Sequence, residues 1–369
     1  MTEKNHTLIS QTISNLRFPL MVGVVAIHCG LSNTGSAADK VSKLFSGIVP
    51  SSCVPLFFLI SGFLFFWSIE RFDFEIYRKK IKSRWRTLVI PYLFWNTFMI
   101  GCYAAVHIFA PTMTSVENEN VLHYSLIDWL TAYWNKSGGQ PVAYQLWFLR
   151  NLIVMTFFAP VFYWFAKLPS FSCLLPLVGF CILSKIEGFG WSLGCFYYYL
   201  GVLLSCRKRP CQWILNSIDL RNDAKKGLSA CALGIVIVWL FFVVIRLFCM
   251  KNSMMDSVVR FTGVCAFLVI AFYLTRRYGK MNAFFEKSGY FVYLFHAFPC
   301  FVVKKITELY FHPTSVLSWI LLYICRLVFL LSICLIVYFL LCKCLPRTTA
   351  FITGNKIVHN TFKGQGTGT

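Results

Sequence analysis

Two ionisable side chains bracket an apolar run. In LRFPLMVGVVAIHCG, residues 16–30, Arg17 and His28 have nothing charged between them. They stand eleven residues apart, close to three turns at 3.6 residues per turn, so both project from nearly one helix face with a rise between them of about 16 Å. Alone, Arg17 reads as an anchor that snorkels to the headgroups, and His28 as a buried histidine satisfied by a neighbour. Together they predict a polar path through the protein, because ionisable groups within a membrane span turn toward a cavity or a partner. A second stretch, YRKKIKSRWRTLVIPYLFW (77–95), carries a basic cluster into an apolar segment. Arg78, Lys79 and Lys80 read as ordinary charge at a membrane edge. Arg84 and Arg86 sit where the apolar run begins, placed to clamp an anionic ligand. His296, in YLFHAF, is a second intramembrane histidine, one that orients either a ligand or a helix.

Composition sets the elements that must hold these side chains. The 369 residues are 57% hydrophobic and 13% charged. That is too little charge to cover a soluble protein of this size, so the sequence predicts an integral membrane protein. The net charge of +21 reads as topology, with Lys and Arg kept on the cytoplasmic side, and no motif points to nucleic acid. The polar start MTEKNHTLIS, with no small-residue cleavage site after the first apolar run, argues against a cleaved signal. Most cysteines lie in apolar runs, where they act as small hydrophobes. With no CxxC pair and no histidine at zinc spacing, neither a metal site nor a disulfide framework is expected.

Ten apolar segments can be drawn, near 13–31, 46–69, 87–109, 142–166, 170–184, 189–205, 228–249, 257–275, 288–303 and 316–342. A membrane helix needs about 20 residues, so the fold class expected is an all-α bundle of about ten transmembrane helices. With the N-terminus inside, 24 of the 35 Lys and Arg fall in inner regions and seven in outer loops, which predicts N-in and C-in. Lys304 and Lys305 run against this pattern, and their side depends on whether 288–303 is a full crossing. Residues 1–347 read as one transmembrane domain, and 348–369 as a short basic cytoplasmic tail expected to be disordered. The longest outer loop, about 110–141, contains HYSLIDWLTAYW, whose apolar residues share one helical face, as in a helix lying on the membrane surface.

Five stretches then carry a resemblance. NLRFPLMVGVVAIHCG, VPLFFLISGFLFFW, RWRTLVIPYLFW, YQLWFLRNLIV and EKSGYFVYLFHAF occur in the order and spacing seen in the acyltransferase 3 family. These are bacterial multi-helix membrane proteins of the inner membrane that O-acylate sugars. The resemblance covers residues 14 to about 342, and the Arg17–His28 spacing is its most specific part. It implies about ten helices, no bound cofactor, and acetyl-CoA or another acyl-CoA as donor substrate.

 The phosphates of that donor would meet Arg84, Arg86 and Arg17. His28 would act either as general base on an acceptor hydroxyl or as a transient acyl carrier. His296 matches a histidine often found at that place in the family. Arg150, Arg246, Arg260 and Arg326 fall in the outer halves of their segments. Arg150, His296 and Arg326 read as a polar site that either receives a saccharide or lipid-linked saccharide acceptor or is structural, and Arg246 and Arg260 as snorkelling anchors. The alternative function is a polysaccharide exporter or flippase without acyl-transfer chemistry, which has no evident need for a phosphate clamp beside a histidine.

Overall fold

The computed structural model describes residues 3–30, 37–109, 121–136, 139–187, 190–207, 230–249 and 252–355. Residues 110–120 of the expected outer loop and 356–369 of the expected tail lie outside them. The described residues are helical, with no strand among them. In chain order the helices are α1 (Glu3–His28), α2 (Ala37–Ser42), α3 (Cys53–Phe66), α4 (Phe74–Arg84), α5 (Ile90–Phe109), α6 (Leu126–Ala132), α7 (Trp147–Phe157), α8 (Ala159–Lys167), α9 (Leu175–Glu187), α10 (Trp191–Cys206), α11 (Ala230–Phe248), α12 (Ser253–Tyr278), α13 (Ala283–Phe295), α14 (Ala297–Tyr310), α15 (Val316–Cys344) and α16 (Pro346–Ile352).

Local chemistry fixes where several of these begin and bend. Asp73 and Asn252 accept from the backbone N–H of Ile76 and Met255, each at 2.8 Å, and Ser125 and Ser315 close capping boxes. Each satisfies an N–H that the first helical turn would otherwise leave unpaired. Pro160 cannot donate an N–H and crowds the preceding turn, and there α7 and α8 part at 61°.

α1 lies at the centre, packed on α3, α12, α13 and α15. α3 and α10 cross so closely that a Cβ at Gly62 would fall on the carbonyl of Tyr198, and one at Gly201 on that of Leu59. Gly62 therefore serves close helix packing. On the outside, Leu233, Ile237, Phe241, Val244 and Phe248 of α11 and Leu317, Leu321, Ile324 and Val328 of α15 are exposed. They recur every three or four residues, so each helix turns a continuous apolar stripe outward, as lipid contact requires.

Six helical segments among the described residues are long and apolar enough to cross a membrane: His6–His28, Ala38–Phe66, Phe74–Phe109, Ala230–Phe248, Ser253–Tyr278 and Val316–Cys344. The bent pair Tyr144–Phe157 and Ala159–Lys167 makes a seventh if taken as one span. Phe171–Ser184 and Trp191–Cys206 are shorter apolar helices, and 288–303 is divided at His296 between α13 and α14. The chain is thus a multi-pass, all-helical membrane protein. The boundary expected at 347/348 falls inside α16, a helix in which Thr349, Ala350 and Ile352 are buried. Residues 348–355 are therefore packed structure, which corrects the expectation of a disordered tail from 348 onward.

Candidate active site

A cavity of about 630 Å³ runs between α1, α3, α7, α12 and α13. Arg17 and His28 both line it, as their spacing on α1 predicts. Toward the Arg17 end it is bounded by Ser83, Arg84, Glu286, Lys287, Thr353 and Asn355. Toward the His28 end it is bounded by Ser46, Gly47, Ser51, Gln145 and Arg260. Met21, Val24, Leu64, Phe148 and Leu152 give the wall an apolar character. The cavity thus joins a charged end to a histidine some three helical turns away.

At the charged end, Arg84 is close enough to Arg17 for their charges to repel, and Glu286 supplies an opposing charge to Arg17. Glu286 also pairs with Lys280 at 3.2 Å. Tyr290 donates to the carbonyl of Thr87 at 2.9 Å, tying α13 to the turn after Arg84. Two arginines beside one carboxylate leave excess positive charge facing open space, which suits an anionic ligand.

At the other end the His28 ring lies 5.4 Å from that of Tyr144 and 5.2 Å from that of His296, centroid to centroid. His296 is fully buried, and its Nδ1 faces the carbonyls of Val292 at 3.1 Å and Tyr293 at 2.9 Å. Carbonyls only accept, so Nδ1 carries the proton and Nε2 presents a lone pair. That Nε2 has no partner among the described residues, and neither does Oε1 of Gln145. Gln145 is itself fixed: its Nε2 donates to Leu294 O at 3.2 Å, and its backbone carbonyl accepts from the Tyr293 hydroxyl at 2.8 Å. Of these two open acceptors, Gln145 belongs to the cavity wall, whereas His296 is buried outside it, behind His28; a ligand hydroxyl in the cavity has the chemistry to satisfy Gln145.

The remaining sequence-predicted residues are placed elsewhere. Arg86 is outside the cavity wall and donates through Nη2 to Asn355 O at 3.2 Å. Arg150 is buried away from the cavity. Its guanidinium donates to the carbonyls of Trp134 and Gly139 and to Asn151 Oδ1, between the rings of Trp134 and Trp191. Arg326 is buried on α15 beside Cys29 and Cys300, with Nε and Nη1 unpartnered among the described residues. The two arginines read as anchors divide: Arg246 pairs with Asp256 at 2.5 Å, whereas Arg260 faces the cavity. Sequence reasoning missed Gln145, Arg260 and Glu286 as cavity residues. Gln145 had a signal, since it is the second residue of the YQLWFLRNLIV stretch.

No curated protein and no solved structure matches the chain. A family model described as an acyltransferase domain matches residues 11–339, nearly the whole length. With that match laid over the cavity and its histidine, the chain belongs to the acyltransferase 3 family and is a multi-pass membrane acyltransferase.

Proposed function

We propose that the protein is an acyl-CoA-dependent O-acyltransferase of a bacterial inner membrane. It transfers an acetyl group to a hydroxyl of a cell-surface or secreted polysaccharide or its lipid-linked precursor. The observation that carries this reading is the single cavity that joins Arg17 and Arg84 to His28. A phosphate-bearing head would rest on the two guanidiniums. The pantetheine arm would extend along Val24, Leu64 and Leu152 and bring the thioester to His28. We also take the ten apolar segments as ten crossings with both termini inside, which puts the Arg84 end in the cytoplasm, where acyl-CoA is made.

Two routes of transfer fit this site. In the first, neutral His28 takes the proton of the acceptor hydroxyl as its oxygen attacks the thioester carbonyl. The C–S bond breaks, and the departing CoA thiolate recovers the proton. In the second, one nitrogen of neutral His28 attacks the carbonyl and holds the acyl group, the C–S bond breaks, and the thiolate takes the proton of the other ring nitrogen; the hydroxyl then displaces the imidazole and returns its own proton to the ring. In either, the open acceptor on Gln145, which lines the cavity with His28, orients an O–H or N–H beside that histidine.

The test is transfer from radiolabelled acetyl-CoA into a saccharide fraction, in membranes that express wild type or His28→Ala at matched levels. Wild type should label, and the variant should lose about 100-fold or more of the rate. Equal labelling by both would remove His28 from the chemistry. Labelling by neither would favour an exporter without transfer chemistry.

A further inference from the structure

The family match ends at residue 339, yet the cavity wall continues past it. α16 turns back beneath the bundle after Leu345, with Pro346 in its first turn. Trp95 Nε1 donates to Ile352 O at 3.0 Å, a buried bond that docks the end of α16 on α5. The chain then runs through Thr353, Gly354 and Asn355. Thr353 donates to Thr349 O at 2.7 Å, and Asn355 Nδ2 donates to Thr353 Oγ1 at 3.1 Å. Thr353 and Asn355 both line the cavity at the end that holds Arg84.

Gly354 explains how the segment reaches that position. Its φ of +62° belongs to the left-handed region. A Cβ there would fall on the carbonyl of Arg86 and within 2.6 Å of Thr87 Cα. Glycine alone lets the two backbones touch. The Arg86 side chain then closes over the contact and donates to Asn355 O at 3.2 Å. Arg86 is thus engaged by the C-terminal segment from both its backbone and its side chain.

We propose that Thr353–Asn355 forms a specificity-determining wall at the charged end of the cavity, and that Arg86 is a positioning residue that holds this wall in place. The wall narrows the entry to Arg17 and Arg84 and sets a hydrogen-bonding amide beside the anionic part of the ligand. The reading of that ligand as acyl-CoA rests on the proposed function above; the wall itself does not.

Two readouts separate these. The first is free of any donor: a cysteine placed in the cavity by Ser61→Cys is exposed to a charged maleimide in purified full-length protein, and its own peptide is followed by mass spectrometry. The second is KM and kcat with acetyl-CoA. Arg86→Gln and Gly354→Val should each raise the labelling rate about tenfold, the scale of one lost hydrogen bond to a charged group. The double variant should rise no further, because both changes release one segment. Arg86→Lys, which can still reach Asn355 O with one donor, should stay near wild type. KM should rise with kcat nearly unchanged. Labelling unchanged in Arg86→Gln would overturn the wall. Effects that multiply in the double variant would overturn Arg86 acting through it. If Gly354→Val does not fold, Gly354→Ala and the Gln–Lys pair at Arg86 still decide. If wild type transfers nothing from acetyl-CoA, the donor reading fails while the labelling result stands.

Discussion

Arg84 stands at the start of one apolar run and Arg150 within another, and the molecule uses them in opposite ways. Arg150 sits between two tryptophan rings and gives its donors to two carbonyls of the loop 121–140 and to Asn151. Its charge is spent on architecture. Arg84 faces a cavity, repelled by Arg17 and neighboured by tyrosines, with no carboxylate bonded to it among the described residues. Such a cation is costly to keep inside a membrane protein unless a ligand repays it. The difference teaches that a buried arginine must be judged by where its five donors point, since its sequence context alone does not distinguish anchor from receptor.

The largest effect should come from removing the receptor charge. Arg84→Gln should lower kcat/KM for acetyl-CoA by about 30-fold or more, the scale of losing a desolvated charge contact. Arg84→Lys should fall between, keeping charge but losing the planar fork. Initial rates against donor concentration measure this. A kcat/KM within twofold of wild type in Arg84→Gln would abolish the contrast with Arg150.

Much of this was legible in the sequence, for physical reasons. Long apolar runs give membrane helices because the bilayer forces backbone pairing within each segment, so the long helices follow the hydropathy. The Arg17–His28 pair was legible because both lie on one straight helix, where periodicity alone fixes their shared face. Arg260 was not, because a snorkelling arginine and a cavity arginine look alike until neighbouring helices are placed. The bond from Arg86 to Asn355 was not legible, because the two lie 269 residues apart. α16 did leave a trace, with Pro346 at its start and Gly354 just past its end, but its burial is a tertiary fact. The number of crossings stayed less legible, since α9, α10, α13 and α14 are each short.

A smaller effect, on stability alone, should follow from breaking the anchor. Arg150→Gln strands the carbonyls of Trp134 and Gly139 and removes the stacked guanidinium, a cost of roughly 2–3 kcal/mol. Thermal aggregation of the purified protein should begin a few degrees lower, while KM for the donor stays as in wild type at lower temperature. A raised KM in Arg150→Gln matching that of Arg84→Gln would show that both arginines serve the ligand.

The smallest effect should come from the surface of the same loop. Asp128 accepts from Lys136 at 2.9 Å and from Ser125, and these bonds hold its carboxyl down to about 2. The sign follows from that depression: whatever the charged form contributes is present above the ordinary carboxylate range and is lost only as pH falls toward 2. Across pH 5 to 8, roughly the window in which a histidine changes charge, Asp128 therefore stays ionised and adds no slope. An acid limb in the transfer rate would come from the histidines, which must be neutral to accept a proton or an acyl group. Asp128→Asn should leave that limb where it is in wild type, with at most faster proteolysis of the loop. A limb that moved in Asp128→Asn would mean that the loop is coupled to His28, and the separation between an architectural loop and a reactive cavity would have to be given up.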